Sequence, residues 1–168
     1  MSEQPLVREG RVWLFPQENI NTDLIMPQTV FNLPIEEQIK AVFAANRPGW
    51  TAMVRPGDII VGGKNFGTGS SRPGAQLFKR LGIAALVAES INGLFYRNCI
   101  NYALLAIECP GIVQAVTEGD QLRISFGTGM VENLTNNRRL ACAPMAEFLS
   151  SIVLAGGVMQ RLKKEGYI

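Results

Sequence analysis

The 168-residue chain contains no histidine. That absence removes Ser-His-Asp and Cys-His catalysis, histidine-ligated zinc, and the side chain most used as a general base near neutral pH. Chemistry here must use serine, arginine, carboxylates, tyrosine or lysine, or groups supplied by another chain. Cysteine is scarce: Cys99, Cys109 and Cys142 are odd in number, widely spaced and form no C-x-x-C. Neither a disulfide framework nor a metal knuckle follows, and the expectation is three buried free thiols in a reduced, cytoplasmic setting. Charge is also sparse, at 18% charged residues and a net +2. This is too little to steer nucleic acid, and the densest basic group, Arg161-Leu162-Lys163-Lys164, reads as the end of a helix. No apolar run approaches the roughly 18 residues of a membrane span. The opening "MSEQPLVREG" lacks the apolar stretch of a signal peptide. Neither nucleic acid nor membrane is an expected partner.

What is present suits one domain spanning residues 1–168, with 47% hydrophobic residues and no low-complexity tract or repeat. "GRVWLFP" reads as a first strand ended by Pro16. "IEEQIKAVFAAN" places Ile35, Ile39, Val42 and Phe43 at helical spacing, with Glu36 and Glu37 in its first turn. "NRPGW" and "RPGD" are turns. "IIVGG" and "IAALVAE" are short apolar runs typical of buried strands. Between them "AQLFKRL" predicts a helix with Pro73 at its first position and Gly82 as its left-handed cap. This β-loop-α-β unit predicts parallel pairing. "INGLFYRNCINYALLAI" starts as a helix, and "QLRISFGTGM" turns back on itself at Gly127-Thr128-Gly129. A last helix from about Pro144 weakens at Gly156-Gly157. The fold class is mixed α/β, with more antiparallel strand in the second half.

The informative stretch is "KNFGTGSSRPGA", Lys64 to Ala75. A glycine-rich turn between a buried strand and a helix can offer backbone N–H groups to an anion. Gly69 is followed by Ser70-Ser71, so the P-loop pattern fails. Thr68 stands where a serine-hydrolase elbow needs glycine. A dinucleotide site is the closer rival, because Gly67-x-Gly69 follows a strand and Glu89 lies about 20 residues on, where a ribose-binding acid is expected. Arg72 occupies the third glycine position, however. A carboxylate site fits better: Arg72 can fork two hydrogen bonds onto a carboxylate beside Ser70 and Ser71. The plain alternative is that the serines cap the helix and Arg72 is a surface residue.

"NINTDLIMP", "NFGTGSSR" and "LFYRNCINYALLAI" occur in this order, and together they resemble the 3-isopropylmalate dehydratase small-subunit family. Those proteins are stand-alone relatives of the aconitase C-terminal swivel domain. The resemblance is strong over Gly10 to Pro110 and looser beyond. It implies a swivelling β/β/α domain, with a mixed sheet or barrel flanked by helices, that closes over a large subunit. It implies that the large subunit carries the iron–sulfur (4Fe-4S) cluster and that this chain binds no cofactor or metal. The reaction implied is reversible loss and regain of water in a small hydroxy dicarboxylate, most directly 3-isopropylmalate in leucine biosynthesis. Ser70 matches the base, while Ser71 and Arg72 match the residues that hold the carboxylate. Asn21, Thr22, Asp23 and Asn65, with Tyr96, Arg97 and Asn98, fall on segments bordering the cleft. Asp23 also reads as a turn or cap residue, and Arg97 as a structural ion-pair partner.

Three departures stand out. The family's usual Glu-His after Ser-Ser-Arg is Pro73-Gly74, its usual turn cysteine is Thr68, and the segment after the "NTD" motif is "QTVFNLP". In the family that segment borders the substrate's side group, so the resemblance implies that Thr29, Val30, Phe31 and Leu33 line a pocket of different shape here. A methylated malate, citraconate or homocitrate-type substrate is therefore an alternative, since one methylene is worth only about 1–3 kcal/mol. Readings from other classes are a dinucleotide-binding module and a non-catalytic swivel domain.

Overall fold

The computed structural model describes residues 6–168. Seven strands form one sheet in the order β4-β3-β2-β1-β5-β6-β7. They are β1 (Val7–Phe15), β2 (Ile59–Gly62), β3 (Ala85–Ala88), β4 (Leu105–Glu108), β5 (Gln121–Ser125), β6 (Met130–Asn133) and β7 (Arg139–Ala141). The long β1 joins two kinds of pairing. Its first half, Val7 to Arg11, runs antiparallel to β5, and its second half, Val12 to Phe15, runs parallel to β2. Beyond β2 the pairing stays parallel through β3 and β4, and beyond β5 it stays antiparallel through β6 and β7. The mixed α/β class and the antiparallel second half are as the sequence indicates.

Alternating side chains bury both faces of the parallel half. Trp13, Phe15, Ile60, Leu86, Ala88 and Ala106 point to one core, rich in aromatic rings. Val12, Ile59, Val61, Ala85, Val87, Leu105 and Ile107 point to the other, which is mostly aliphatic. Helices α4 (Gly74–Arg80) and α5 (Gly93–Asn101) follow β2 and β3 and make the two crossovers. Their rings Phe78 and Phe95 meet at 6.1 Å between centroids, and Phe66 from the glycine turn packs against both. The two glycines at 156 and 157 do break the C-terminal helix, into α7 (Glu147–Leu154) and α8 (Val158–Lys164). The basic group lies in the last turn of α8, where cations complement the helix dipole.

Three local expectations change. The helix predicted from Ile35 stops early, as α2 (Ile35–Lys40). Phe43 adopts a left-handed φ of 55° and donates its N–H to Leu24 O at 2.7 Å. There its ring stacks on Phe15 at 4.2 Å and packs against Phe78 and Trp50. Ring packing worth about 0.5–1.5 kcal/mol per pair offsets the backbone strain. Pro73 sits just before α4 as its N-cap residue, one place earlier than expected. Cys142 is half-exposed, while Cys99 and Cys109 are buried.

Asp58, ending the "RPGD" turn, holds the start of β2. Its carboxylate accepts from Arg11 Nη2 (2.8 Å), Trp13 Nε1 (2.7 Å) and the Arg55 N–H (2.8 Å). Burial pushes this carboxyl up, but the hydrogen bonds from Arg11, Arg55 and Trp13 outweigh it and hold the group below the ordinary 3.8. A depressed folded value means the unfolded chain takes up the proton first as pH falls. The stabilisation is therefore complete above 3.8 and drains away below it. Asp58→Ala leaves buried donors without an acceptor, an expected loss of about 2–4 kcal/mol at neutral pH. Thermal melts across pH 3 to 7 check this: the variant melts lower, and its deficit shrinks towards the acid end.

Candidate active site

The "NTD" motif and the glycine turn are zipped together by backbone hydrogen bonds. Gly67 and Thr68 donate N–H to Ile20 O at 2.8 and 3.2 Å, and Thr22 N–H donates to Thr68 O at 2.8 Å. Asn21 caps α1 (Thr22–Ile25) by accepting from the Asp23 N–H. Gly67 is required here: its φ is +82°, and a β-carbon would lie 2.2 Å from Phe95 Cγ. Gly74 is a second close approach, with a β-carbon meeting Ile25 Cγ2 at 2.8 Å. Packing of α1 on α4 thus explains why glycine, and no larger residue, stands at position 74 in this chain.

This zipper brings Asp23 onto Arg72, where the two form an ion pair through Nη2. Asp23 is therefore both a first-turn residue of α1 and the partner of the turn's guanidinium. The same Nη2 donates to Ser70 Oγ at 3.4 Å. Arg72 is largely enclosed, its side chain 12% exposed, and its Nε and Nη1 are buried without an acceptor. Unmet buried donors cost about 1–3 kcal/mol each, so packing rather than a full set of hydrogen bonds holds this cation, and Nη2 is the donor that meets Asp23 and Ser70. Ser70, Arg72, Phe31 and Gln28 line an open cavity of about 250 Å³.

The remaining candidates disperse. Ser71 is exposed beside Ser70. Thr22 is buried, with its hydroxyl 3.0 Å from where a Gly69 β-carbon would sit. Asn65 ties loops: its N–H donates to Ser90 Oγ, its Nδ2 to Asn19 Oδ1, and its Oδ1 accepts from Asn92. Thr29 is exposed on the short 3-10 turn Gln28–Val30 and does not line the cavity. Arg97 is exposed on α5 and makes no ion pair among the described residues, so its reading as a structural ion-pair partner does not hold.

Two further expectations are corrected. The start of α4 is not an open N–H cradle: Gly74 N–H donates to Arg72 O, Ala75 N–H to Asn98 Oδ1, and Gln76 N–H to Pro73 O. The available cationic donors come from the guanidinium instead. Glu89 accepts from the N–H groups of Gly111 (2.6 Å) and Val113 (2.9 Å), capping α6 (Ile112–Ala115), so it is not free for a ribose. Sequence reasoning missed Gln28. Its signal was its place directly after Pro27, where the 3-10 turn carries it to the cavity together with Phe31.

No group of three or more Cys, Asp or Glu side chains suited to a metal ion occurs among the described residues. No helix among them is long and apolar enough to cross a membrane.

A curled mixed sheet with a serine–arginine turn at the C-terminal end of a parallel strand defines a class, and the chain belongs to the aconitase C-terminal domain family, whose model matches residues 17–111. Full-length likeness narrows this further. The chain is 46% identical to the isopropylmalate/citramalate isomerase small subunit of Methanocaldococcus jannaschii, over 94% of each chain. It is 41% identical to the 3-isopropylmalate dehydratase small subunit 1 of Thermotoga maritima, over 94% of this chain and 95% of that one. The crystal structure of 3-isopropylmalate dehydratase (leuD) from Methanocaldococcus jannaschii superposes with a TM-score of 0.87 at 30% identity, covering 96% of both chains.

Proposed function

We propose that this chain is the small subunit of a two-chain hydro-lyase that interconverts 2- and 3-isopropylmalate by loss and regain of water. The observation that carries the reading is the pairing, in one cavity, of Ser70 Oγ with the Arg72 guanidinium. A substrate carboxylate is the ligand that fits this cation: planar, anionic and able to accept charge-assisted N–H bonds. Asp23 holds Nη2 and so fixes the guanidinium's orientation. With the carboxylate in place, Ser70 Oγ takes the proton from the adjacent carbon and returns one in the reverse direction. The hydrogen bond from Arg72 favours the deprotonated oxygen, provided water is excluded. Phe31 offers an apolar wall to the alkyl group, and Gln28 an amide to a second polar group.

Ser70 and Ser71 are exposed and the cavity is open, so a second chain must cover it. The partner is the large subunit, and an iron–sulfur cluster held there would supply Lewis-acid assistance to the departing hydroxyl. Phe31 and Leu33, 45% and 46% exposed on the cavity's rim segment, are apolar surface of the kind a partner covers. The work of the pair is in a reduced cytoplasm.

A methylated malate is a second substrate, favoured by the relative named for both isopropylmalate and citramalate. Anaerobic mixing with the large subunit of the same organism tests both, with the unsaturated acid followed by its ultraviolet absorbance. The expected result is turnover with both chains together and with neither alone. Turnover by the isolated chain, or none on either acid with the pair assembled, overturns the proposal.

A further inference from the structure

β4 and β7 are the two edges of the sheet, six strands apart in sheet order, yet Glu108 at the end of β4 and Ala143 just past β7 line one cavity. Three side-chain bonds tie the β6–β7 hairpin to α6, the helix that follows β4. Asn133 and Asn136 donate Nδ2 to Ala115 O at 3.0 and 3.1 Å, and Arg138 Nη1 donates to Gln114 O at 2.9 Å. Leu140 of β7 reaches to 3.9 Å from the β-carbon position of Gly111. Cys109 is the first residue past β4 and Cys142 the first past β7. Their backbones are anchored on neighbouring strands, Cys109 N–H on Ala88 O and Cys142 N–H on Gly129 O. Both side chains belong to the aliphatic core, where the two thiols lie close enough to interact. Cys99 lies in the aromatic core on the opposite face.

We propose that Cys109 and Cys142 form an oxidisable dithiol, a modification site for a peroxide-class oxidant, whose disulfide pins the two edges of the curled sheet together. Exposure sets the order of events. Cys142 is half-exposed and Cys109 fully buried, so the oxidant meets Cys142 first. The Cys142 thiol is oxidised to sulfenic acid as the peroxide O–O bond breaks and one water leaves. Cys109 sulfur then attacks the Cys142 sulfur and the S–O bond breaks. The thiol proton leaves with the hydroxide as a second water. The balance is two thiols and one hydrogen peroxide giving one disulfide and two waters. Burial, then the hydrogen bond and charge of Cys142, push the Cys109 thiol up, so it stays protonated until this step. A dithiol reductant reverses the bond.

Treatment of the full chain with hydrogen peroxide tests this. Intact mass should fall by about 2 Da for one disulfide. Thiols titrated after denaturation should drop from three to one, and peptide mapping should find Cys109 linked to Cys142. Closing the loop between them should raise Tm by roughly 5–15 °C, reversibly with dithiothreitol. Cys142→Ala, shown to be folded by its reduced melt, should keep both remaining thiols and show no oxidant-dependent rise. Oxidation that stops at Cys142 sulfinate, joins two chains, or links Cys99 overturns the proposal.

Discussion

Replacing Ser70 by alanine is expected to lower kcat of the assembled two-chain enzyme by about a hundred- to ten-thousand-fold, the usual worth of a positioned general base. KM should change little, because Ser70 Oγ meets the carbon-bound proton rather than the carboxylate. The variant loses one acceptor for Arg72 Nη2, and that atom keeps its ion pair with Asp23. Assembly and melting temperature should therefore match the parent. Steady-state kinetics on the unsaturated acid, together with gel filtration of the complex, separate the two effects. Unchanged kcat with intact assembly removes Ser70 from the chemistry, whatever the fate of the rest of the site.

The second large effect is expected at Arg72. Lysine keeps the charge and can still pair with Asp23, but it lacks the planar, fixed array of donors with which a guanidinium meets Asp23, Ser70 and a carboxylate together. Loss of one charge-assisted hydrogen bond costs about 1.5–3 kcal/mol, which is a roughly 10- to 150-fold fall in kcat/KM. Part of it should appear in KM, since the carboxylate is held in the ground state as well as in the transition state. Arg72→Ala should be worse, for it also strips Asp23 of its cation. Equal kinetics for Arg72→Lys and the parent would show that this array is not used. A loss confined to stability would assign Arg72 to the loop zipper instead.

Much of this architecture was legible because its determinants are local. "IIVGG" and "IAALVAE" are short continuous apolar runs, a local signature of buried strands, and β2 and β3 lie where those runs predicted. Gly82 caps α4 with a φ of +86°, a conformation that glycine reaches without strain. The Ser-Ser-Arg turn could be singled out because few residue types bind a carboxylate without histidine. What could not be read depended on distant partners. The early end of α2 follows from a slot for Phe43 between Phe15 and Phe78, built by three separate segments. The α4 start has the sequence pattern of an open anion cradle, yet Asn98, 23 residues further on, accepts from the Ala75 N–H. Glu89 had the spacing of a ribose acid, yet the fold spends both its oxygens on α6.

The order of amino acids by itself determined the kinds of element, the residues able to grip a carboxylate, and the need for chemistry from elsewhere, because propensity and side-chain type act over a few neighbouring positions. Only the tertiary structure decided that Asp23 orients Arg72, that Gln28 and Phe31 rather than Thr29 or Arg97 line the cavity, and that Cys109 meets Cys142. Those contacts exist because a twisted sheet curls and two loops zip together, and no local pattern encodes where such distant segments come to rest.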